Sequence, residues 1–341
     1  MLKRAVSALA LCLMSLPAWS QTEAVATPPA APAASAPDAA EEAPQTVLVS
    51  GSRPGPGLWK ISKDDHVMWV FGSYDPLPTK MEWRSRDIDK VIAASQQYLK
   101  PPSSSLDVGF FGGMGALPFL IGIKKNPDGD LKTVLPPEVY ARWLPMKQKY
   151  FSDDDSIERE RPIFVAQQLA SRAKKAAGLD GGREIGKTIN KLVEKHNLKV
   201  VDASYHIELK EPGKAVRDFK KSAMNDIACL AKTIERLETE LDVMRSRANA
   251  WAVGELGEIR KLSYGDRDAC FEGLSTSSLA KNQPELLTIM DKAAASWVSA
   301  AEKAIAANTS TFAVVQIKDI LNPTGVIATL QARGYTVEPP K

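Results

Sequence analysis

The sequence predicts an α/β domain in which a mixed β-sheet is flanked by helices and interrupted by a large helical middle section. Short runs of branched and aromatic residues alternate with helically spaced apolar residues from Leu58 onward, the pattern of strands and helices that share one sheet. Two of those runs, "GLWKIS" and "HVMWVFGS", are separated only by Lys63-Asp64-Asp65, which reads as a hairpin turn. The third observation is the longest periodic stretch: Val216, Phe219, Ala223, Ile227, Leu230, Ile234, Leu237, Leu241, Met244, Ala248 and Trp251 step by threes and fours. It predicts one amphipathic helix of about ten turns with charged outer faces.

Ahead of the folded part, "MLKRAVSALALCLMSLPAWSQ" has two early cations, an apolar run too short to span a bilayer, and Ala18-Trp19-Ser20 before Gln21. This is the layout of a secretory signal peptide over residues 1–20, cleaved near Ser20, so the expectation is a periplasmic or secreted protein. Residues 21–56 are rich in Ala, Pro, Ser and Glu. With almost nothing to bury, they read as a disordered, semi-extended linker, which leaves 57–341 as the domain.

The elements then follow in order. Ser85 can cap a helix carrying Ile88, Val91 and Ile92, and "QQYL" before Pro101 is the next strand. Residues 102–135 are irregular; the Gly- and Phe-rich stretch 109–122 reads as a lid or packing loop, and "NPDGD" as a type I turn rather than a calcium loop. From Pro136 to about Gly254 the pattern is mainly helical, with a strand at Leu198 to Asp202. A helix with Leu286, Ile289, Met290, Ala293 and Trp297 leads into "TFAVVQI", a buried strand. A turn at Asn322-Pro323, a short helix from Thr324 to Arg333 ended by Gly334, and "YTVEP" as an edge strand close the chain.

Charge excludes little but argues for nothing exotic. The net charge of +3 falls to +1 once Lys3 and Arg4 leave with the leader, which gives no reason to expect nucleic acid as a partner. No later stretch is long and apolar enough to cross a membrane. Cys229 and Cys270 remain after the leader is removed, and in an exported chain they are expected to form a disulfide. A regular stripe such as 216–251 also fits a coiled-coil homodimer, although packing against its own domain is the commoner use.

The chain has three histidines, His66, His196 and His206, and none has a partner at metal-ligand spacing, so each is read as solvent-facing or satisfied in the structure. There is no G-x-S-x-G elbow. The carboxylates offer more: Asp75 follows one predicted strand and Asp319, in "VVQIKD", follows another. If those strands are neighbours, both acids stand at the carboxyl edge of the sheet, where α/β ligand sites form; the plainer reading is that each caps the loop after its strand.

"LWKIS...VMWVFGSYDPLP...EWRSRDIDKVIAAS" and "TFAVVQIKD...GVIATLQARGYTVEP" together resemble the TraB/GumN family, relatives of the Tiki metalloproteases. The resemblance implies a fold of the Tiki and erythromycin-esterase kind and, in active relatives, metal-dependent hydrolysis. The family's G-x-x-H motif occurs twice, its histidines binding metal. Carried onto this sequence, the first glycine is Gly72 and the first histidine position is Asp75. The second glycine position is Gln316 and its histidine position is Asp319. The acid expected after the "QQYL" strand falls at Lys100 or Pro101, and an expected Arg-Asn pair falls at Ala293-Ala294. These departures imply a degenerate site with no cofactor, in a protein that binds or scaffolds a protein or peptide partner. The alternative they leave is a hydrolase in which Asp75 and Asp319 hold Mn²⁺, Mg²⁺ or Ca²⁺.

Overall fold

The computed structural model describes residues 55–340 apart from 82, 108–117, 153, 180–181 and 262–264. The expected leader at 1–20, nearly all of the linker at 21–56 and most of the 109–122 loop lie outside the described residues.

The hairpin forms as expected. β1 (Leu58–Lys63) runs antiparallel to β2 (His66–Ser73), with Lys63 opposite His66 at the turn. Asp64 takes a left-handed φ of 54° there, a conformation that Asp tolerates better than most residues. Next comes α1 (Arg86–Ala94), which buries Ile88 and Ile92. Ser85 occupies its N-cap position, but the side chain makes no capping bond and the backbone there is already near-helical; the helix start is set by burial rather than by the cap. β3 (Gln97–Leu99) is buried at every position.

The helical middle comprises α2 (Pro137–Phe151), α3 (Pro162–Ala176) and α4 (Gly182–Lys195), then α5 (Pro212–Lys221), α6 (Ile227–Thr239), α7 (Leu241–Ala252) and α8 (Gly265–Ser275). A short β4 (Ser104–Asp107) pairs in parallel with β6 (Tyr205–Glu208) as a separate two-stranded sheet, while β5 (Lys199–Val201) joins the main one. The chain ends with α9 (Ile289–Ala307), β7 (Ser310–Gln316), α10 (Ile317–Leu321), α11 (Val326–Ala332) and β8 (Thr336–Glu338). Gly334, at φ 88°, follows α11, as a helix-ending glycine should.

The main sheet has the order β5-β3-β7-β2-β1-β8. β5, β3, β7 and β2 are mutually parallel, and β1 and β8 are antiparallel additions, so the sheet is mixed. β7 is buried from Thr311 to Val315, which requires cover on both of its faces. The core of this sheet gathers Phe71, Tyr98, Phe312, Trp251 and Trp297 among others. A second core lies within the helices, around Trp143, Leu169, Leu230 and Ile234.

The long periodic segment behaves differently from the single helix its spacing predicts. Its apolar stripe is real, since Phe219, Leu230, Ile234, Leu237, Met244, Ala248 and Trp251 are all buried. Its backbone is three helices, broken at 222–226 and again at Glu240. The first break has a cause at its edge: the buried Arg161 guanidinium donates to the carbonyls of Phe219 and Ser222, each at 2.8 Å, and so takes the end of α5 out of helical pairing. The continuous rod that a coiled coil through this segment needs is therefore not formed.

Cys229 on α6 and Cys270 on α8 are joined as a disulfide, within the second core. No helix among the described residues is long and apolar enough to cross a membrane.

Candidate functional site

Parallel strands all deliver their following loops to one edge of the sheet, and that is where a cleft opens. β2 and β7 are adjacent, with Gly72 opposite Val315 and Ser73 opposite Gln316. β3 lies on the other side of β7 and ends at Leu99, opposite Ala313. The cleft above these strand ends has a volume of about 590 Å³ and is walled on its other side by the start of α4. Asp75, Lys100, Pro101 and Gln316 all line it, so four positions chosen from separate parts of the chain meet in one place.

Two other positions do not join them. Alternation along β2 turns Gly72 away from Ser73; a Cβ on Gly72 would lie 2.5 Å from the Trp59 ring and 3.3 Å from Ile320. Its small size therefore serves the packing of the opposite face, not a ligand. Asp319 sits on α10 and is not among the residues that line the cleft. Its carboxylate lies 3.7 Å from the Lys318 ammonium. Ala293 is buried and Ala294 packs against the sheet core; neither lines the cleft.

The strand ends are braced from behind by two buried indoles. Trp251 on α7 donates to the Gly72 carbonyl at 2.6 Å, and Trp297 on α9 donates to the Lys100 carbonyl at 2.9 Å. The helical middle, through Trp251, and α9, through Trp297, thus brace the floor of the cleft, a role that the spacing of Trp251 in its stripe did not reveal.

The charges around the cleft are mostly matched. Asp75 stands 3.9 Å from Lys174 and is well exposed. Its Oδ1 would lie only 3.0 Å from a Cβ built on Gly182, so it rests against the first turn of α4, where a carboxylate is favoured by the helix dipole. Lys100 reaches Asp202 at 3.2 Å. Burial pushes both cleft tyrosines, Tyr74 and Tyr98, up to about 12, so they stay neutral phenols in any ordinary buffer.

Asp202 is held down to about 2, first by hydrogen bonds from the Ser204 hydroxyl and backbone N–H and then by Lys100. A carboxyl whose folded value lies below its ordinary one near 3.9 stabilises the fold above that pH and loses the contribution as pH falls through the folded value. Comparing wild type with Asp202→Asn by urea midpoint is expected to show a wild-type advantage above about pH 4 that disappears by about pH 2. An advantage that persists at the lowest pH would show that the carboxylate is not the cause.

The histidines are each accounted for. His66 Nδ1 is 2.8 Å from the Asn308 carbonyl, His196 Nε2 is 2.6 Å from Asp89, and His206 Nδ1 is 2.6 Å from the Ser105 hydroxyl. Among the described residues no group of three or more His, Cys, Asp or Glu side chains comes together in a way that could hold a metal ion. The cleft itself offers one carboxylate beside Lys100 and Arg183. That donor set does not fit the divalent cation that the family resemblance implies, because like charge opposes it and too few oxygens converge.

Searches of curated proteins and of solved structures return no match. A match to the TraB/PrgY/gumN family model does cover residues 57–339. It takes in every strand of the sheet and every wall of the cleft, and on that extent the chain belongs to the TraB/PrgY/gumN family.

Proposed function

We propose that this protein is an exported member of its family whose hydrolytic site has decayed, and that it acts as a binding or scaffold domain through the cleft at the ends of β2, β3 and β7. The observation that carries this reading is the donor set of the cleft: a single carboxylate, Asp75, already shared between Lys174 and the first turn of α4, with Lys100 at the position where the family resemblance calls for an acid. Export is supported by the leader-like start and by a disulfide, which persists where thiols oxidise.

The competing hydrolase reading needs Asp75 and Asp319 to share one hard cation at ligand distances of about 2.0 to 2.6 Å. The cleft lining, which includes Asp75 but not Asp319, weighs against it. Elemental analysis of the purified protein is expected to find no stoichiometric metal, and peptidase and esterase assays are expected to give no turnover. A tightly held ion that is lost in Asp75→Ala would overturn the proposal.

A further inference from the structure

Three polar side chains on the cleft wall make no hydrogen bond and no ion pair among the described residues: Arg183, Asn190 and Gln316. Arg183 and Asn190 are two helical turns apart on α4, and Gly186 lies between them on the same stripe. All three line the cleft. A Cβ added at Gly186 would meet nothing within 4 Å, so no packing partner in the protein requires a glycine there. A glycine inside a helix weakens it relative to alanine, and here it leaves the exposed helix backbone open to a group lying in the cleft.

The other charged groups that line the cleft are matched: Lys100 pairs with Asp202 at 3.2 Å and Asp75 lies near Lys174 at 3.9 Å. Glu184, next to Arg183 in the chain but outside the cleft lining, pairs with Lys187 at 2.6 Å and feels the Arg183 charge only as a lesser influence. That leaves the Arg183 guanidinium as the cation on the cleft without an ion-pair partner among the described residues. A guanidinium recognises the planar or forked oxygens of carboxylates and phosphates, and the two carboxamides offer both donors and acceptors for the rest of a polar ligand. Ile185, Ile189 and Val314 supply apolar surface beneath them, and a volume of about 590 Å³ is in the range of small-molecule sites.

We propose that the cleft binds a small organic oxyanion, a carboxylate or a phosphate ester, with its acidic group on Arg183, its polar groups on Asn190 and Gln316, and its body passing over the gap at Gly186. This rests on the reading of the cleft as a binding site and adds to it the chemical class of the ligand.

The test is calorimetric titration of the purified protein with succinate, with inorganic phosphate, and with succinamide as the uncharged control. Saturable binding of succinate or phosphate is expected, with none of succinamide, and the preferred probe identifies the acidic group. Arg183→Gln should weaken that binding at least about tenfold, and Gly186→Leu should abolish it by filling the gap. Gly186→Ala should raise the melting temperature. Both positions are exposed, so the variants are expected to keep the wild-type far-UV spectrum.

Failure of both anions to bind the wild type, or equal binding to wild type and Arg183→Gln, overturns the inference. Stoichiometric metal in the wild type would instead strike at the binding-domain reading beneath it. A metal-free protein that binds neither anion leaves that reading standing and removes only this one.

Discussion

Replacing Arg161 with methionine is expected to destabilise the protein by about 3 kcal/mol or more, although the side chain is neither in the cleft nor at a strand end. Arg161 is 1% exposed and stands at the start of α3. It donates to the carbonyls of Phe219 and Ser222 where α5 stops, and its guanidinium lies 4.9 Å from the centre of the Phe219 ring. The exchange is reciprocal: Asp226, from the same break between α5 and α6, accepts a hydrogen bond at 2.9 Å from Ile163 in the first turn of α3.

Burial draws the Arg161 pKa down and the Asp226 pKa up, while the charge of each partly offsets the shift of the other. Methionine keeps most of the volume but leaves the Ser222 carbonyl without its Arg161 donor and Asp226 without the cation whose charge offsets its burial. Phe219 loses less, because Ser222 also donates to its carbonyl. For a domain of this size the loss corresponds to a fall in melting temperature of roughly 6 to 12 °C. Arg142→Met is the control: its pair with Glu238 at 2.6 Å is solvent-exposed and is worth about 1 kcal/mol at most. Equal effects of the two substitutions would mean that the crossed contacts at the α5–α6 break do not hold the helical middle together.

The same arginine explains what the sequence could not reveal about that region. Apolar spacing is a statement about one face of a segment, and most of the face from Phe219 to Trp251 is indeed buried, Ala223 at the first break being the exposed exception. Continuity of the backbone is a separate matter, decided here by a side chain more than fifty positions upstream that claims the end carbonyls of α5. The small β4–β6 sheet escaped for a different reason. "SSLD" and "YHIE" are mostly exposed, so their pairing leaves little hydrophobic signature. The central strands were legible because burial on both faces demands unbroken apolar runs, as in "TFAVV".

The site was legible in part and for a clear reason. Residues just past the ends of neighbouring parallel strands must converge, which brought Asp75, Lys100, Pro101 and Gln316 to one cleft. Asp319 failed the same logic because the chain turns at once into α10, and a helix rotates successive side chains by about 100° each. Gly72 failed because strand alternation sends it to the opposite face. The α4 stripe of Arg183, Gly186 and Asn190 was missed altogether. Its spacing of three and four is the signal that could have found it, but a polar stripe on an amphipathic helix ordinarily faces water.

Reducing the Cys229–Cys270 bridge is expected to cost about 3 to 4 kcal/mol, from the loop entropy that the bridge removes from the unfolded chain. The two cysteines are 41 positions apart, and the loop they close contains α7, whose Trp251 holds the Gly72 carbonyl. The bridge anchors α6 to α8 inside the helical core, with Cys229 1% exposed. Urea unfolding with and without reductant should therefore separate the two forms, and Cys229→Ala with Cys270→Ala should behave like the reduced protein in both conditions. Although α7 links that loop to the strand ends, the bridge itself lies in the helical core, so succinate or phosphate binding should survive reduction wherever the fold does. A bridge serving the scaffold shifts the unfolding midpoint and leaves affinity unchanged, whereas a bridge that shapes the cleft changes affinity well below that midpoint.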